Sequence, residues 1–196
     1  MSSSNFLEFV KEVSTQEEYL VLDTETSGLK GEIVELSIVS YKGRKETVIF
    51  DSTLKPKKPI DPDSINVHHV TEERCANSPT WPNVVEKIKR LMNGKLVVTY
   101  NALFDRRAFH HTDASWGLPK TPWKEIGKWR CAMYATSDLL CVGRLRWWKL
   151  SDAARYLELD LSDITLHSSL GDTILAGRVV LALLDFFRGK RSIGVS

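Results

Sequence analysis

Short apolar segments separated by turns dominate the first half of the chain, which is the pattern of β-strands. Residues 19–25 (YLVLDTE) form an apolar run that ends in carboxylates, and residues 33–41 (IVELSIVSY) alternate apolar and polar positions. Residues 46–54 (ETVIFDSTL) follow the tight Lys42-Gly43 turn. Three successive strands joined by short turns predict an antiparallel meander. A fully apolar fourth strand, residues 96–100 (LVVTY), follows a helical segment and is expected to be central and parallel to its neighbour.

Helical spacing becomes prominent further along the chain. The apolar positions of residues 81–94 (WPNVVEKIKRLMNG) fall on one helical face, and Gly94 is a suitable C-terminal stop. More helices are expected over residues 105–112, 129–140, 150–157 and 172–187, whereas the proline-rich link at 55–63 is incompatible with regular structure. Together these elements predict one α/β domain of three layers, in which helices flank a mixed sheet made of the three-strand antiparallel meander and parallel strands.

Length and composition agree with a single domain core. The 196 residues are 42% hydrophobic, and the expected division is a lead-in segment at 1–18, the domain at 19–187 and a loose C-terminal tail at 188–196. Lys and Arg number 27 against 25 Asp and Glu, so the formal net charge is +2. This balance excludes a strongly basic nucleic-acid coat and an acidic disordered chain, although a local basic patch can still bind nucleic acid.

The sequence also indicates the cellular compartment of the protein. No apolar run approaches the ~20 residues that span a bilayer, so no membrane association is expected. Residues 1–20 lack the basic region, long apolar stretch and cleavage site of a secretory signal. Cys75, Cys131 and Cys141 are an odd, widely spaced set, which suggests a reducing compartment rather than a disulfide framework or a zinc site. A cytoplasmic location is therefore expected.

Two carboxylates end the first strand. Asp23 and Glu25 stand at positions i and i+2 and are therefore expected on the same face of the sheet. Adjacent carboxylates at the end of a buried strand repel each other and resist desolvation, and a divalent cation removes that cost. Oxygen ligands suit Mg²⁺ or Mn²⁺, and no nearby cysteine or histidine indicates zinc. The alternative is a surface strand end at which Thr26, Ser27 and Gly28 form a turn.

Two later segments carry further acidic residues. Asp105 follows the fourth strand and is either the N-cap of the next helix or a third carboxylate at the same sheet edge. His167 precedes the last helix and Asp172 lies in its first turn. A capping-box-like pattern of Ser169 and Asp172 explains Asp172 but not His167. The functional interpretation uses both residues, with Asp172 as a metal ligand and His167 as a general base, since histidine exchanges a proton near neutral pH.

The ordered set Asp23-x-Glu25, Asp105 and His167-x4-Asp172 resembles the three exonuclease motifs of the DnaQ-like DEDDh family. The flanks are similar too: VLDTETSGL to the first motif, IVELSIV to the strand that follows it, NALFDRRAF to the second motif, and KLSDAARYLEL with HSSLGDT to the approach to the third. SINVHHVTEE resembles the segment between the first two motifs, with His69 where a glycine is usual. The resemblance covers residues 19–187, and His167 indicates the DEDDh branch because the other branch has tyrosine there.

This resemblance implies a ribonuclease-H-like fold and 3′→5′ exonuclease chemistry with two Mg²⁺ or Mn²⁺ ions about 4 Å apart. It implies Asp23 as the shared ligand, Glu25 and Asp172 on the ion that serves the nucleophile, and Asp105 acting through water. His167 would take a proton from the attacking water. Leu29 resembles the family's apolar position near the terminal base. The substrate contacts expected around it are Thr24, Ser27, Gly28, Leu29, Asn101 and Phe104.

A basic and aromatic segment, residues 144–149 (RLRWWK), is a second candidate for substrate contact. Arg146, Trp147 and Trp148 are expected to hold phosphates and stack on the bases of a single strand. The alternative is a helix start with one buried and one partly exposed tryptophan.

The remaining histidines and tryptophans have structural interpretations. His68-His69 and His110-His111 match no zinc spacing, and we interpret them as a loop pair and an exposed helix end. The tryptophans expected to fill the core are Trp81, Trp116, Trp123 and Trp129.

The expected function is that of a metal-dependent 3′→5′ exonuclease that releases nucleoside 5′-monophosphates, with single-stranded or frayed 3′ ends of DNA as the favoured substrate. An RNA-trimming exoribonuclease is the alternative within the class, because discrimination of the 2′-OH depends on pocket shape. A dehalogenase-type phosphatase is disfavoured because Glu25 stands where that class needs aspartate. A non-catalytic polymerase-associated subunit is the third alternative, and neither a homodimer nor a polymerase partner can be read from the sequence.

Overall fold

The computed structural model describes residues 5–140 and 147–190, and a five-stranded sheet organises them. The strands are β1 (Tyr19–Thr26), β2 (Ile33–Lys42), β3 (Lys45–Thr53), β4 (Leu96–Thr99) and β5 (Lys128–Cys131). Their order in the sheet is β3-β2-β1-β4-β5. β1, β2 and β3 pair antiparallel, and β4 and β5 continue the sheet parallel to β1. The predicted meander and the predicted central parallel strand are both confirmed.

Helices cover both faces of this sheet. In chain order they are α1 (Asn5–Ser14), α2 (Pro62–His68), α3 (Glu72–Cys75), α4 (Trp81–Met92), α5 (Ala102–Ser115), α6 (Trp123–Ile126), α7 (Ala132–Leu140), α8 (Leu150–Tyr156) and α9 (Ser169–Phe187). Side chains of α1, α7, α8 and α9 form one core with the odd-numbered positions of β1, and those of α4, α5 and α6 form another with its even-numbered positions. The three-layer α/β prediction is therefore confirmed.

Several predicted boundaries were wrong. The helix expected over residues 129–140 begins at Ala132, and the residues before it form β5, in which Trp129 pairs with Val97 of β4. A run of four residues is too short for periodicity to distinguish a strand from a helical turn, so pairing with β4 decides it. Pro62 begins α2 inside the proline-rich link, because proline fits the first turn of a helix. The segment at 1–18 contains α1, whose Phe9 and Val13 are buried, and the division of the chain at residue 19 stays a prediction.

The aromatic side chains behave mostly as predicted. Trp81, Trp123 and Trp129 are buried in the core beneath α4, α5 and α6, while Trp116 is partly buried against it. On the other face, Gly177 of α9 packs on the ring of Tyr41, and a Cβ at this position would lie 2.0 Å from the Tyr41 hydroxyl oxygen. This close approach seats α9 against β2. Within the described residues, none of the helices is long and apolar enough to cross a membrane.

Candidate active site

The end of β1 places two carboxylates on the face of the sheet that α9 covers. Tyr19 and Val21 belong to the core beneath α9, and the alternation of the strand puts Asp23 and Glu25 on that same side. Because β4 runs parallel to β1, both strands end at one edge of the sheet, and α5 starts just after β4. The edge thus brings together the segments that carry the predicted acidic residues.

Three of the four predicted carboxylates meet there. Asp23, Glu25 and Asp172 each offer an oxygen atom within 4.8 Å of the other two, and all three side chains are partly exposed. Asp172 reaches them from the first turn of α9, whose N-cap is Ser168. The Ser168 hydroxyl accepts a hydrogen bond from the Gly171 N–H at 3.1 Å. The capping-box alternative, which made Ser169 the cap, is therefore wrong.

Asp105 lies outside this group of three and is only 2% exposed. It is not an N-cap either, because α5 begins at Ala102 after the cap residue Asn101. The buried Thr24 hydroxyl donates a hydrogen bond to Asp105 Oδ1 at 3.0 Å. Thr24, predicted to contact substrate, therefore uses its side chain to hold Asp105.

Crowding shifts the protonation of these acids. Burial, reinforced by Asp172, Glu35 and Asp105, raises the pKa of Glu25 to about 8. Burial and the charge of Asp105 raise the pKa of Asp23 well above its usual range. Burial also raises the pKa of Asp105 to about 7, although its hydrogen bond from Thr24 opposes the shift. Within residues 5–140 and 147–190, no lysine or arginine forms an ion pair with Asp23, Glu25 or Asp172, so full ionisation of the cluster requires another cation.

His167 stands beside this cluster. Its side chain is exposed, and its charge and backbone hydrogen bond oppose the burial that raises the pKa of Asp172. The backbone of His167 is in the left-handed region at φ 60°, a conformation that costs free energy in a residue other than glycine. The surrounding contacts therefore determine where this side chain sits.

Comparisons with known proteins agree with this arrangement. Residues 20–180 match the family described as Exonuclease (RNase_T). The chain belongs to the Exonuclease family. It is 29% identical over 177 residues to DNA polymerase III subunit epsilon of Escherichia coli, a match that covers 84% of this chain and 70% of that protein.

Two further relatives extend the comparison. The chain is 31% identical over 123 residues to Exodeoxyribonuclease 10 of E. coli (61% of this chain), and the match spans about half, 54%, of that protein's length. The solved structure described as Exonuclease X in complex with 5′ overhanging duplex DNA is 25% identical, with a TM-score of 0.66, and the match covers 89% of this chain and 95% of that one. These matches confirm the resemblance to DnaQ-like exonucleases and the nuclease class of this enzyme.

The exonuclease has an open cleft at the end of β1. It measures about 500 Å³, and Leu29, with 92% of its surface exposed, projects at its border. Asn101 and Phe104, both predicted substrate contacts, line the same cleft. The lining residues that were not predicted as substrate contacts include Lys30, Arg107 and His111. Such a cleft offers apolar surface for a base beside positive charge for phosphates.

The loop that carries Leu29 is internally hydrogen-bonded. The Ser27 hydroxyl accepts from the Glu32 N–H at 2.9 Å, and the Gly28 carbonyl accepts from the Gly31 N–H at 2.9 Å. Ser27 is buried, its N–H donates to the Glu32 carbonyl and its carbonyl accepts from the Asp61 N–H, so its substrate contact stays a prediction. These hydrogen bonds hold the backbone of the loop on either side of the exposed Leu29.

The second candidate segment divides between exposed and packed residues. Trp147 is 59% exposed, and its ring centroid lies 5.0 Å from that of Tyr134. Trp148 is partly buried against the core beneath α9, with its ring 5.1 Å from that of Tyr156. Arg146 lies outside the described residues. Trp147 is exposed and Trp148 is partly buried just before α8 begins at Leu150, so substrate contact by this segment stays a prediction.

The two histidine pairs lie in helical surroundings that differ from the predicted loop pair and exposed helix end. His68 is buried at the end of α2, accepts the Val70 N–H on Nδ1, and so donates from Nε2 to the Thr26 carbonyl at 3.1 Å. His69 caps α2 at φ 57°, which explains why glycine is usual at this position. His110 and His111 lie inside α5 and are partly buried, so the prediction of an exposed helix end was wrong.

One acidic residue near the site, Glu35, was not predicted from the sequence. Glu35 of β2 is 5% exposed and pairs in register with Glu25. Its carboxylate accepts hydrogen bonds from Arg74 at 2.5 Å and from the Ser169 N–H at 2.9 Å. A charged residue at a buried strand position was the available signal, but its partners are distant in sequence.

Proposed function

We propose that this exonuclease is a metal-dependent 3′→5′ exonuclease that removes nucleoside 5′-monophosphates from the 3′ end of DNA, with single-stranded or frayed ends favoured. The observation that carries the proposal is the cluster of Asp23, Glu25 and Asp172, with oxygen atoms within 4.8 Å of one another beside His167. The cleft that starts at Thr26, directly after Glu25, would receive the strand end.

The donor set fits divalent metal ions. Carboxylate oxygens suit Mg²⁺ or Mn²⁺, and burial, reinforced by the charge of neighbouring carboxylates, raises the pKa values of Asp23 and Glu25. Asp23, Glu25 and Asp172 would hold two such ions directly, with Asp105 acting through water. When bound, the ions would supply positive charge at the phosphate as negative charge develops on it.

His167 is the candidate general base. An exposed imidazole next to Asp172 is placed to accept a proton from the water that attacks the phosphorus atom. The water then forms a bond to phosphorus while the 3′ oxygen of the preceding nucleotide leaves.

The cleft suits a nucleic-acid end without selecting a base. Leu29 and Phe104 offer apolar surface for the terminal base, and Lys30 and Arg107 offer positive charge for phosphates. Apolar contact does not depend on a hydrogen-bonding pattern, which agrees with an enzyme indifferent to sequence. The exposed Trp147 is a further candidate platform for a base.

Two relatives support DNA as the favoured substrate. One relative is named an exodeoxyribonuclease, and a solved relative carries duplex DNA with a 5′ overhang. An RNA-trimming activity is the second candidate, since the same carboxylates would serve either backbone. The similarity to a DNA polymerase III epsilon subunit supports a polymerase as the proposed protein partner.

The decisive test follows 5′-labelled DNA and RNA oligonucleotides on a gel, with Mg²⁺ or Mn²⁺ and with EDTA. We expect a ladder of progressively shorter labelled products, faster with DNA, and no reaction with EDTA. Asp23→Ala should abolish turnover and His167→Ala should lower kcat by about 10²–10⁴-fold. Glu86→Ala, which removes an acid 67% exposed on α4, should behave as wild type.

Three outcomes would contradict the proposal. Immediate release of the labelled 5′ mononucleotide would show the opposite polarity. Cleavage of a closed circle would show endonuclease action. Retention of wild-type activity by Asp23→Ala, purified free of host nucleases, would remove the carboxylate cluster from the chemistry.

A further inference from the structure

The first turn of α9 is joined to β2 by three hydrogen bonds. The Ser169 N–H donates to Glu35 Oε2 at 2.9 Å, and the Thr173 hydroxyl donates to the Ser37 carbonyl at 3.4 Å. The hydroxyl oxygens of Ser37 and Ser169 lie 2.7 Å apart. Since the Ser37 hydroxyl donates its proton to Asp51 at 2.7 Å, the Ser169 hydroxyl is the donor in that bond. All three bonds use side chains or carbonyls of two β2 residues.

Those two β2 residues are also the cross-strand partners of the β1 acids. Glu35 pairs with Glu25, and Ser37 pairs with Asp23. Neighbouring strands have a fixed spacing of about 4.8 Å. β2 therefore determines how far the first turn of α9, and with it Asp172, lies from Asp23 and Glu25.

Glu35 needs a counterion to serve this purpose. Its carboxylate is 5% exposed and adds to the negative charge that raises the pKa of Glu25. Arg74 of α3, whose side chain is 48% exposed, donates to the other carboxylate oxygen at 2.5 Å. The ion pair occupies one carboxylate oxygen of Glu35, and the other oxygen accepts the Ser169 N–H, so Glu35 acts as a hydrogen-bond acceptor rather than as a fourth ligand.

We propose that Glu35, with Arg74 as its counterion, is a positioning residue that holds the first turn of α9 so that Asp172 and His167 face Asp23 and Glu25. His167 lies two residues before Ser169 in a left-handed conformation, and such a conformation persists only where neighbouring contacts enforce it. The expected effect of Glu35 on turnover rests on the proposed nuclease function. The expected effects on the position of α9 and on metal affinity are independent of that function.

The test compares Glu35→Ala with Glu35→Gln and with a matched control at the other end of the same helix. Asp185 near the C-terminus of α9 forms an ion pair with Arg44 in the β2–β3 turn at 2.5 Å. Asp185→Ala therefore also removes a contact between α9 and the β2 region, but far from the site. Each variant is measured for amide hydrogen exchange in residues 168–173, for Mn²⁺ affinity by electron paramagnetic resonance, and for kcat and KM.

We expect Glu35→Ala to exchange the amides of residues 168–173 at least about tenfold faster than wild type. Its Mn²⁺ dissociation constant should rise, and its kcat should fall, by about 10–100-fold, with KM changed less than about threefold. Glu35→Gln keeps an oxygen that can accept the Ser169 N–H and should stay near wild type in amide exchange. Asp185→Ala should have a lower melting temperature but wild-type amide exchange in residues 168–173, Mn²⁺ affinity, kcat and KM.

If Glu35→Ala has the same amide exchange rates and the same Mn²⁺ affinity as wild type, the positioning role of Glu35 is overturned. An equal loss of Mn²⁺ affinity in Asp185→Ala would also overturn it, because the effect would then be general helix stability. If wild type degrades no nucleic acid, the nuclease proposal fails while exchange and Mn²⁺ binding still decide the role of Glu35. If Glu35→Ala does not fold, Ser37→Ala replaces it, and unchanged exchange in that variant would contradict the proposal.

Discussion

At the scale of single residues, the site is defined by carboxyl groups held close together. Asp23, Glu25 and Asp172 bring oxygen atoms within 4.8 Å of one another, and burial adds to their repulsion. The raised pKa of Glu25, about 8, means that this side chain holds its proton at neutral pH in the absence of metal. Affinity for a divalent cation and loss of these protons are consequently linked.

This linkage predicts how the stability of the metal-free protein depends on pH. The pKa of Glu25 is about 8 in the folded state, against a usual value near 4.5. Between these values the folded state binds a proton that the unfolded state releases, so stability falls as pH rises. In EDTA, we expect the melting temperature to fall from pH 5 to pH 8, and Glu25→Gln should reduce that fall by at least about 2 °C.

The matched control for this measurement is Glu86→Gln, whose carboxylate is exposed and should leave the wild-type slope unchanged. Adding Mn²⁺ should raise the melting temperature of wild type more at pH 8 than at pH 5. A Glu25→Gln profile that coincides with wild type throughout would show that Glu25 titrates normally.

At the scale of elements, one buried carboxylate joins three helices on the face opposite α9. Asp113 of α5 is 2% exposed and accepts the indole N–H of Trp81 in α4 at 2.8 Å and that of Trp123 in α6 at 2.7 Å. Phe109 packs edge-on against both indoles. The arrangement secures α5, the helix that carries Asp105 and one wall of the cleft.

We predict that Asp113→Ala lowers the free energy of unfolding by about 2–5 kcal/mol, because it leaves two buried N–H donors without an acceptor. Asp113→Asn keeps one acceptor and should lose less. Urea denaturation followed by tryptophan fluorescence measures both variants. A stability for Asp113→Ala within about 0.5 kcal/mol of wild type would show that the two indoles find other partners.

At the scale of the whole molecule, the cleft is assembled from segments far apart in sequence. The loop after β1 supplies Leu29 and Lys30, and α5 supplies Phe104 and Arg107. The α2 region supports that loop from outside, since the Asp61 N–H donates to the Ser27 carbonyl at 2.9 Å. A substitution at the exposed tip of the loop should therefore weaken substrate binding without lowering the stability of the fold.

Leu29→Ala tests that separation. With 92% of the side chain exposed, the substitution removes almost no packing, so the melting temperature should stay within about 1 °C of wild type. Its KM for DNA ends should rise about 5–30-fold, equivalent to about 1–2 kcal/mol of lost apolar contact. Val48→Ala, at a residue 48% exposed on the edge strand β3, is the matched control and should leave KM unchanged. An unchanged KM in Leu29→Ala would remove this residue from substrate binding.

The sequence by itself determined the features that depend on local pattern. Alternation in β1 and β2 and the short Lys42-Gly43 turn predicted the meander, because the period of a strand and the reach of a turn are local properties. The i, i+2 spacing of Asp23 and Glu25 predicted that they share a face. Their identities, with Asp105, His167 and Asp172 in order, sufficed to indicate the family.

Only the tertiary structure decided the features that depend on pairing between distant segments. Lys128–Cys131 becomes β5 because β4 lies beside it, although its own four residues carry no clear period. Glu35 meets Glu25, Arg74 and the Ser169 N–H through strand register and helix packing, and Asp105 is held by Thr24 instead of joining the three clustered acids. Such contacts are set by the free energy of the whole packed core, to which each short segment contributes only part, so local pattern cannot reveal them.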